Sequence, residues 1–225
     1  MEKITVLLAD DHVVVRQGLR ALLALEEGIE IVAEADNGRQ AVQLAKRLRP
    51  DVAVIDIVMP VLNGVEATRQ ILRDLPQTRV LILSSYSDDE HVHQVIEMGA
   101  AGYLVKQTAA ADLVKAIREI HRGNAYFSPG IAKRLREHGR HTFVTGLPQP
   151  RRAEVLTPRE SEVLQLIAEG RANKQMADEL GISIKTVEKH RQQVMDKLGI
   201  HDVAGLTRHA IAHGIIESSR GLGGL

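Results

Sequence analysis

The sequence contains no cysteine and no tryptophan, and only 2% of its 225 residues are aromatic. The absence of cysteine excludes disulfide bonds, thiolate metal sites and cysteine catalysis. The core must therefore consist mainly of valine, isoleucine, leucine and alanine. No apolar run approaches the roughly 20 residues of a membrane-spanning helix, and the first residues lead into a strand without a signal peptide. We expect a cytoplasmic protein with no membrane partner and one or two domains.

The formal net charge is zero, but the charges are unevenly distributed. Residues 1–117 carry 12 basic and 17 acidic side chains, residues 118–154 carry 8 and 3, and residues 155–217 carry 8 and 9. The net charge of the whole chain neither indicates nor excludes a nucleic-acid partner. Evidence for or against nucleic-acid binding must therefore come from where the charged residues lie along the chain.

The first half of the chain alternates apolar runs with amphipathic segments. The runs are rich in Val, Ile and Leu without polar alternation, which is typical of parallel strands covered on both faces. Five strands are predicted at 5–9, 31–35, 52–55, 80–83 and 102–105, and helices at about 13–25, 38–48, 64–72, 89–98 and 109–121. This order predicts an α/β doubly wound five-stranded parallel sheet.

The second half follows a different pattern. Ser128 and Pro129 predict the start of a short helix, and a mixture of Gly, Pro and basic residues after it indicates a linker. Thr157 and Glu160 form a capping box that opens an all-helical segment. We predict a first domain at residues 1–122, a linker with a short helix at 123–153, a small all-α domain at 154–217 and a flexible tail at 218–225.

Polar side chains stand at the ends of four predicted strands. Asp10 and Asp11 follow the first strand, Asp56 ends the third, Ser84 ends the fourth and Lys106 follows the fifth. The carboxyl ends of the strands meet at one edge of such a sheet, where ligands bind. Each aspartate alone is consistent with a turn or a helix N-terminus. Because clustered carboxylates repel each other, the combination favours a site for a divalent cation and a phosphoryl group.

This set of side chains suits phosphoryl transfer, which depends mainly on positioning and charge neutralisation. Mg²⁺ prefers oxygen ligands and keeps several waters. Asp56 is the candidate nucleophile, since carboxylates form acyl-phosphates. Lys106 would place a positive charge against the phosphoryl oxygens, and Ser84 would donate a hydrogen bond to one of them.

The Asp-Asp, Asp-x-x-x-Pro, Ser and Lys elements resemble the receiver domain of two-component response regulators over roughly residues 3–122. The resemblance implies that Asp56 accepts a phosphoryl group from a histidine kinase. It implies Asp10 and Asp11 as Mg²⁺-binding acids, with the backbone carbonyl of Val58 as a further ligand.

The resemblance also assigns a switch. Ser84 and Tyr103 correspond to the switch hydroxyl and the switch aromatic. When the hydroxyl turns toward the phosphoryl group, the aromatic ring can rotate inward and change the neighbouring surface.

Three positions depart from the usual receiver pattern. Gln107 follows Lys106 where many receivers have proline, which puts the usual cis peptide there in doubt. Val58 and Tyr86 are apolar or bulky and flank the path of a hydrolytic water. We therefore predict slow self-dephosphorylation. An aspartyl-phosphate phosphatase is an alternative, but such enzymes have a second Asp at the position of Val58.

The segment from Leu156 to Gly199 resembles the LuxR-type helix-turn-helix of the NarL/FixJ subfamily. Matching elements are Leu156-Thr157-x-Arg159-Glu160, Gly170, Asn173-Lys174, Ala177, Leu180, Thr186-Val187, His190 and Lys197-Leu198. On the predicted recognition helix, Val187, Val194 and Leu198 should face the core, and Met195 should lie on another face.

The resemblance implies contacts with double-stranded DNA. The base-reading positions map onto Glu188, Lys189 and Gln192, since Lys can read guanine, Gln adenine and Glu cytosine. Backbone contacts map onto Asn173, Lys174, Thr186, His190 and Arg191, and Lys185 adds a phosphate or base contact near the helix start.

Together the two resemblances predict a phosphorylation-controlled transcriptional regulator that binds promoter DNA as a homodimer. Three surfaces remain candidates for the dimer contact. They are the helices at 13–25 and 109–121, the helix at 89–98, and a last helix at about 203–213. A DNA-binding or scaffold protein with an unused receiver is the remaining alternative. The predicted C-terminal domain has a net charge near −1 and so lacks the excess of basic residues that is usual in DNA-binding domains. Its affinity for DNA should therefore depend on local charge and on the pairing of two copies.

Overall fold

The computed structural model describes residues 3–85, 92, 95–133, 135 and 156–216. The predicted helix at 89–98 lies largely outside these residues, although residues 92 and 95–97 are helical. Most of the predicted linker and the whole predicted tail also lie outside them. Among the described residues, no helix is both long and apolar enough to span a membrane.

The first domain contains a parallel sheet with the strand order β2-β1-β3-β4-β5-β6. Its strands are β1 (Ile4–Ala9), β2 (Ile29–Ala35), β3 (Val52–Asp56), β4 (Arg79–Ser84), β5 (Gly102–Val105) and β6 (Tyr126–Phe127). The five predicted strands are confirmed. The two-residue β6 was not predicted, because a segment of that length has no periodicity to detect. It pairs with β5 through Gly102 and Tyr103.

Helices cover both faces of this sheet. They are α1 (Val13–Ala24), α2 (Gly38–Leu48), α3 (Gly64–Asp74) and α4 (Ala109–His121), the last preceded by a 3-10 turn at Lys106–Thr108. Alternate strand residues point to opposite faces, so Ile55 packs in one apolar cluster and Val54 in the other. This double burial explains why the strands show apolar runs without alternation.

Within residues 156–216, the described part of the C-terminal domain, four helices surround a separate core. They are α5 (Pro158–Ala168), α6 (Asn173–Leu180), α7 (Ile184–Leu198) and α8 (Val203–Ala212). The capping box at the start of α5 is confirmed, since Thr157 and Glu160 each accept a hydrogen bond from the other's backbone nitrogen. Lys197 of α7 also donates to Glu160, over 2.7 Å, and ties the two helices together.

All three predicted core positions of α7, Val187, Val194 and Leu198, pack in the C-terminal core, and one residue predicted on another face joins them. Val187 and Val194 are fully buried. Met195, predicted on another face, packs against the same core. The prediction was wrong because Met195 follows Val194 and a flexible side chain at the edge of the buried stripe can still reach the core.

Candidate functional site

The polar groups at the carboxyl edge of the sheet form one pocket. Lys106 Nζ lies 2.7 Å from Asp56 Oδ2 and 2.8 Å from Asp10 Oδ2. Asp10 and Asp56 are buried, with 2% and 4% of their surfaces exposed. Ligand oxygens of Asp10, Asp11 and Asp56 lie within 4.8 Å of one another. The structure thus brings together the three predicted carboxylates and the predicted lysine.

His12 also belongs to this pocket, although it was not predicted. Its Nδ1 atom lies 2.9 Å from Asp11 Oδ1, 3.2 Å from Asp10 Oδ1 and 4.0 Å from Asp56 Oδ2. Its backbone nitrogen donates a hydrogen bond of 2.8 Å to Asp10 Oδ1. His12 therefore fixes the orientation of Asp10 through both its ring and its backbone.

The pocket shifts the ionisation of its members. Burial away from water raises the pKa of Asp56 to about 6, although Lys106 opposes the shift and Asp10 adds to it. Burial alone would lower the pKa of Lys106, but the carboxylates of Asp56 and Asp10 outweigh it and raise that pKa. The lysine thus stays charged, and Asp56 is mostly ionised at neutral pH.

The donor set fits a hard divalent cation. Three carboxylates converge on one point, and oxygen ligands of this kind are those that Mg²⁺ prefers. The fourth group that converges there, the His12 nitrogen, is not a usual Mg²⁺ ligand. The residues that would hold the ion are therefore Asp10, Asp11 and Asp56.

The two predicted switch residues lie beside the pocket. Ser84 ends β4, opposite Val105 of β5. Both Ser84 and Tyr103 are fully buried. The Tyr103 ring is thus already in an inward position. Tyr86, predicted to flank the path of water, lies outside the described residues.

The loop after Asp56, residues 57–63, is closely packed and contains Val58. A Cβ atom on Gly64 would lie 1.9 Å from the carbonyl oxygen of Asp56, and one on Gly38 would lie 2.1 Å from that of Leu62. Both positions therefore require glycine. Val61 has a φ of 69°, and Leu62 N donates to Pro60 O over 2.7 Å. These values describe a γ-turn, a strained geometry for a β-branched residue.

The predicted DNA-contacting side chains lie on α6 and α7. Ser183 caps α7 by accepting a hydrogen bond from Thr186 N. Among the predicted residues, Lys174, Lys185, Glu188, Lys189 and Gln192 are exposed, and Asn173, Thr186, His190 and Arg191 are half-buried. The predicted base-reading side chains are therefore accessible in this arrangement.

The two domains meet through α5 and the loop at 57–63. The side chain of Gln165 is fully buried. Its amide nitrogen donates to Met59 O over 2.7 Å, and its amide oxygen accepts from Asn63 N over 2.7 Å. One turn later, at the C-cap of α5, Glu169 Oε1 accepts a hydrogen bond from Val61 N over 2.9 Å. A helix of the second domain thus binds the backbone of the loop that follows Asp56.

Glu162 extends this contact at the other end of α5. It accepts a hydrogen bond of 2.9 Å from Gln70 of α3. Arg39 of α2 lies 3.4 Å from Glu162 and 3.4 Å from Glu179 of α6. Glu162, Gln165 and Glu169 recur at helical spacing, so one stripe of α5 faces the first domain. We call this stripe the α5 polar stripe.

Comparison with known proteins identifies both halves of the chain. Residues 6–118 match the response regulator receiver domain, and residues 154–210 match the LuxR family of bacterial regulatory proteins. The chain belongs to the response regulator family. Its domain order is that of the NarL/FixJ subfamily, which confirms the resemblances drawn from the sequence.

Full-length response regulators are similar to it. LiaR of Bacillus subtilis, a transcriptional regulatory protein, is 43% identical over 199 residues, which cover 88% of this chain and 92% of LiaR. VraR of Staphylococcus aureus is 36% identical over 217 residues, which cover 95% and 99% of the two chains. The RcsB response regulator of Salmonella typhimurium has a similar structure, with a TM-score of 0.60, 27% identity and coverage of 95% and 99%.

Sequence reasoning missed two features of this response regulator. His12 directly follows the aspartate pair, and its position alone could have suggested it. Gln165 stands inside the apolar run from Val163 to Ala168, all of which is buried. A buried amide requires hydrogen-bond partners, so its place in that run was a signal for a contact with another surface.

Proposed function

We propose that Asp56 accepts a phosphoryl group from a histidine kinase and that its phosphorylation controls binding of promoter DNA by the C-terminal domain. The observation that carries the proposal is the buried Asp56 carboxylate, which lies 2.7 Å from Lys106 Nζ and converges with Asp10 and Asp11 on one point. The family match over both domains supports the link between this site and DNA binding.

The pocket residues divide the chemistry among them. Asp56, mostly ionised at neutral pH, attacks the phosphorus of the donor, and the histidine of the kinase leaves. Lys106 already contacts Asp56 Oδ2 and shifts to the phosphoryl oxygens as their charge approaches. Mg²⁺, held by Asp10, Asp11, Asp56 and the carbonyl of Val58, would neutralise charge on the transferred group.

Ser84 and Tyr103 form the proposed switch. The Ser84 hydroxyl would donate to a phosphoryl oxygen at the end of β4, and the buried Tyr103 ring holds the inward position on the neighbouring strand β5, where Tyr103 pairs with Ile82. Phosphorylation would favour that inward position and so bias the surface near β5 and α4.

DNA binding is proposed for α7 and the start of α6. The exposed Glu188, Lys189 and Gln192 would read bases, and Asn173, Lys174, Lys185, Thr186, His190 and Arg191 would hold the phosphate backbone. The structure of two RcsB dimers bound to two parallel DNAs, 26% identical to this chain with a TM-score of 0.56, supports binding as a homodimer. Exposed apolar residues stand on two of the predicted dimer helices, Val13 and Val14 on α1 and Val203 and Ile211 on α8.

The direct test is phosphorylation of the full chain with acetyl phosphate and Mg²⁺, followed by intact mass. We expect one added phosphoryl group on the wild type and none on Asp56→Asn. Asp36→Asn is a matched control, because Asp36 is an exposed aspartate that follows β2 at the same edge of the sheet. Phosphorylation of Asp56→Asn at the wild-type level would contradict the assignment.

The same preparations separate the alternatives. Multiple turnover of a phosphate ester, abolished by Asp56→Ala, would indicate a phosphatase. The buried apolar side chain of Val58, at the position of the second acid of such enzymes, argues against it. DNA binding that does not respond to phosphorylation would indicate a receiver that is unused.

A further inference from the structure

His12 lies at the mouth of the pocket that contains the three aspartates. Its side chain is 45% exposed, against 6% or less for the side chains of Asp10, Asp11 and Asp56. The ring therefore borders solvent on one side and the buried carboxylates on the other. One atom from each of the four residues lies within 4.8 Å of the other three. An ion that binds among the carboxylates would thus also lie next to the imidazole.

The distances from His12 Nδ1 are those expected between ligands of a single metal ion. Bonds from such an ion to imidazole nitrogen and carboxylate oxygen are about 2.0–2.2 Å long, so adjacent ligands of a six-coordinate ion are about 3 Å apart and opposite ligands about 4 Å apart. Nδ1 lies 2.9 Å from Asp11 Oδ1 and 3.2 Å from Asp10 Oδ1, and 4.0 Å from Asp56 Oδ2. A hydrogen on Nδ1 explains the two short distances, whereas an ion would use all three.

An imidazole ligand changes which ion the pocket should prefer. Carboxylates and carbonyls suit Mg²⁺, which takes oxygen ligands. Imidazole suits first-row transition-metal ions, and the affinity of a mixed nitrogen and oxygen site rises from Mn²⁺ through Co²⁺ and Ni²⁺ to Cu²⁺. A pocket that adds one imidazole to three carboxylates therefore has the donor set of a borderline transition-metal ion.

We propose that His12 is a fourth protein ligand, which gives the pocket a preference for a borderline transition-metal ion such as Co²⁺ or Ni²⁺ over Mg²⁺. The transition-metal ion takes the His12 nitrogen together with Asp10, Asp11 and Asp56. Mg²⁺ takes oxygen ligands only and leaves His12 in its contacts with Asp10 and Asp11. The inference rests on the metal site of the proposed function and deepens it, because it names a residue that selects the ion.

The first test compares the full-length wild type with His12→Asn. Asparagine keeps a side-chain donor for Asp10 and removes the imidazole nitrogen. Titration calorimetry with Mg²⁺, and with Co²⁺ in competition with Mg²⁺, gives the ratio of the two dissociation constants at the pocket. Even residues that only orient metal ligands change metal affinity by about 10- to 100-fold, so we expect the preference for Co²⁺ to fall by about tenfold or more.

His121→Asn is the matched control for this comparison. The chain has ten histidines, and Co²⁺ can also bind those outside the pocket. His121 is exposed at the end of α4, so its replacement should leave the preference for Co²⁺ at the pocket unchanged. An equal preference for Co²⁺ in the wild type and His12→Asn would overturn the inference.

A second measurement detects the bond between Co²⁺ and nitrogen in the wild type itself. Co²⁺ is paramagnetic, so the N–H proton of a bound imidazole resonates far outside the usual proton range and disappears in D₂O. We expect one such NMR signal that excess Mg²⁺ removes, and we expect it to be absent from His12→Asn. Absence of this signal from the wild type at saturating Co²⁺ would overturn the inference whether or not the variant folds.

The proposed function is tested separately with beryllofluoride, a phosphoryl analogue, titrated into the wild type with Mg²⁺. Binding of beryllofluoride without coordination of Co²⁺ by His12 would overturn only the inference and leave the proposed phosphorylation site intact. Failure of the wild type to bind both Mg²⁺ and beryllofluoride would contradict the proposed function and the inference with it. Thermal unfolding of each variant verifies that a change in metal preference does not arise from a loss of folding.

Discussion

The amide oxygen of Gln165 accepts a hydrogen bond of 2.7 Å from the backbone nitrogen of Asn63, which lies 102 residues earlier in the chain. Through this contact the DNA-binding domain binds a backbone segment that begins directly after Asp56, the proposed phosphorylation site. The exposed side chains of α7 take no part in this contact between α5 and the loop at 57–63. Docking in this arrangement therefore leaves the predicted base-reading residues uncovered, which the sequence could not decide.

The ionisation of Asp56 should make metal-free stability depend on pH. Because burial raises the pKa of Asp56 from 3.8 to about 6, its contribution to stability is present below pH 4 and is lost as the pH rises through 6. We expect the free energy of unfolding of the wild type to fall by about 2 to 3 kcal/mol relative to Asp56→Asn over that range. Urea denaturation in EDTA at several pH values measures this, and parallel curves for the two proteins would contradict it.

Gly64 should be essential to the shape of the site. A Cβ atom there would lie 1.9 Å from the carbonyl oxygen of Asp56, so the loop or α3 must move in Gly64→Ala. We expect a loss of about 1–3 kcal/mol in the free energy of unfolding and weaker beryllofluoride binding. Gly18→Ala is the control, for which we expect a gain in stability. The added Cβ would meet no atom within 4 Å outside the backbone of its own helix, and alanine favours a helix over glycine by about 0.5–1 kcal/mol. Equal effects of the two changes would contradict the packing argument.

Lys189 should contribute to the choice of DNA sequence. Its side chain is exposed on α7 at a position where lysine can read guanine. We expect Lys189→Ala to cost about 1–3 kcal/mol on the target site and to relax specificity. Lys174→Ala, as a backbone contact, should weaken binding equally on all sequences. Binding isotherms on target and scrambled DNA decide between them, and a uniform loss for Lys189→Ala would make it a phosphate contact.

The phosphorylated protein should lose its phosphoryl group slowly. The buried apolar side chain of Val58 offers no hydrogen bond to orient a hydrolytic water. We expect the decay of the phosphorylated form, followed by intact mass after removal of acetyl phosphate, to be faster in Val58→Asn than in the wild type. A lifetime of only seconds for the wild type would rule out slow self-dephosphorylation.

Much of the fold and the pocket could be predicted because local signals agreed with the global structure. The apolar runs predict five strands, and the rule that ligands bind at the carboxyl ends of parallel strands predicts from the sequence alone that Asp10, Asp56 and Lys106 lie together. The capping box at Thr157 and Glu160 located the start of α5 in the same way. These features depend on short segments whose residues determine their own structure.

The docking contact could not be predicted from such signals. Gln165 binds backbone atoms of Met59 and Asn63, and a backbone carbonyl or nitrogen leaves no trace in the side-chain sequence. The strand β6 depends likewise on the free edge of β5 and not on a pattern of its own. The sequence does contain one signal, the polar Gln165 inside an apolar run. This signal indicates that the amide has hydrogen-bond partners but not which residues supply them.

The central claim is that phosphorylation of Asp56 controls DNA binding by α7. The most direct measurement is binding of the full chain to promoter DNA, with light scattering on the same samples, with and without beryllofluoride and Mg²⁺, for wild type and Asp56→Asn. We predict that beryllofluoride increases both DNA affinity and the dimer fraction of the wild type and changes neither in Asp56→Asn. Equal DNA affinity of the wild type with and without saturating beryllofluoride would contradict the account.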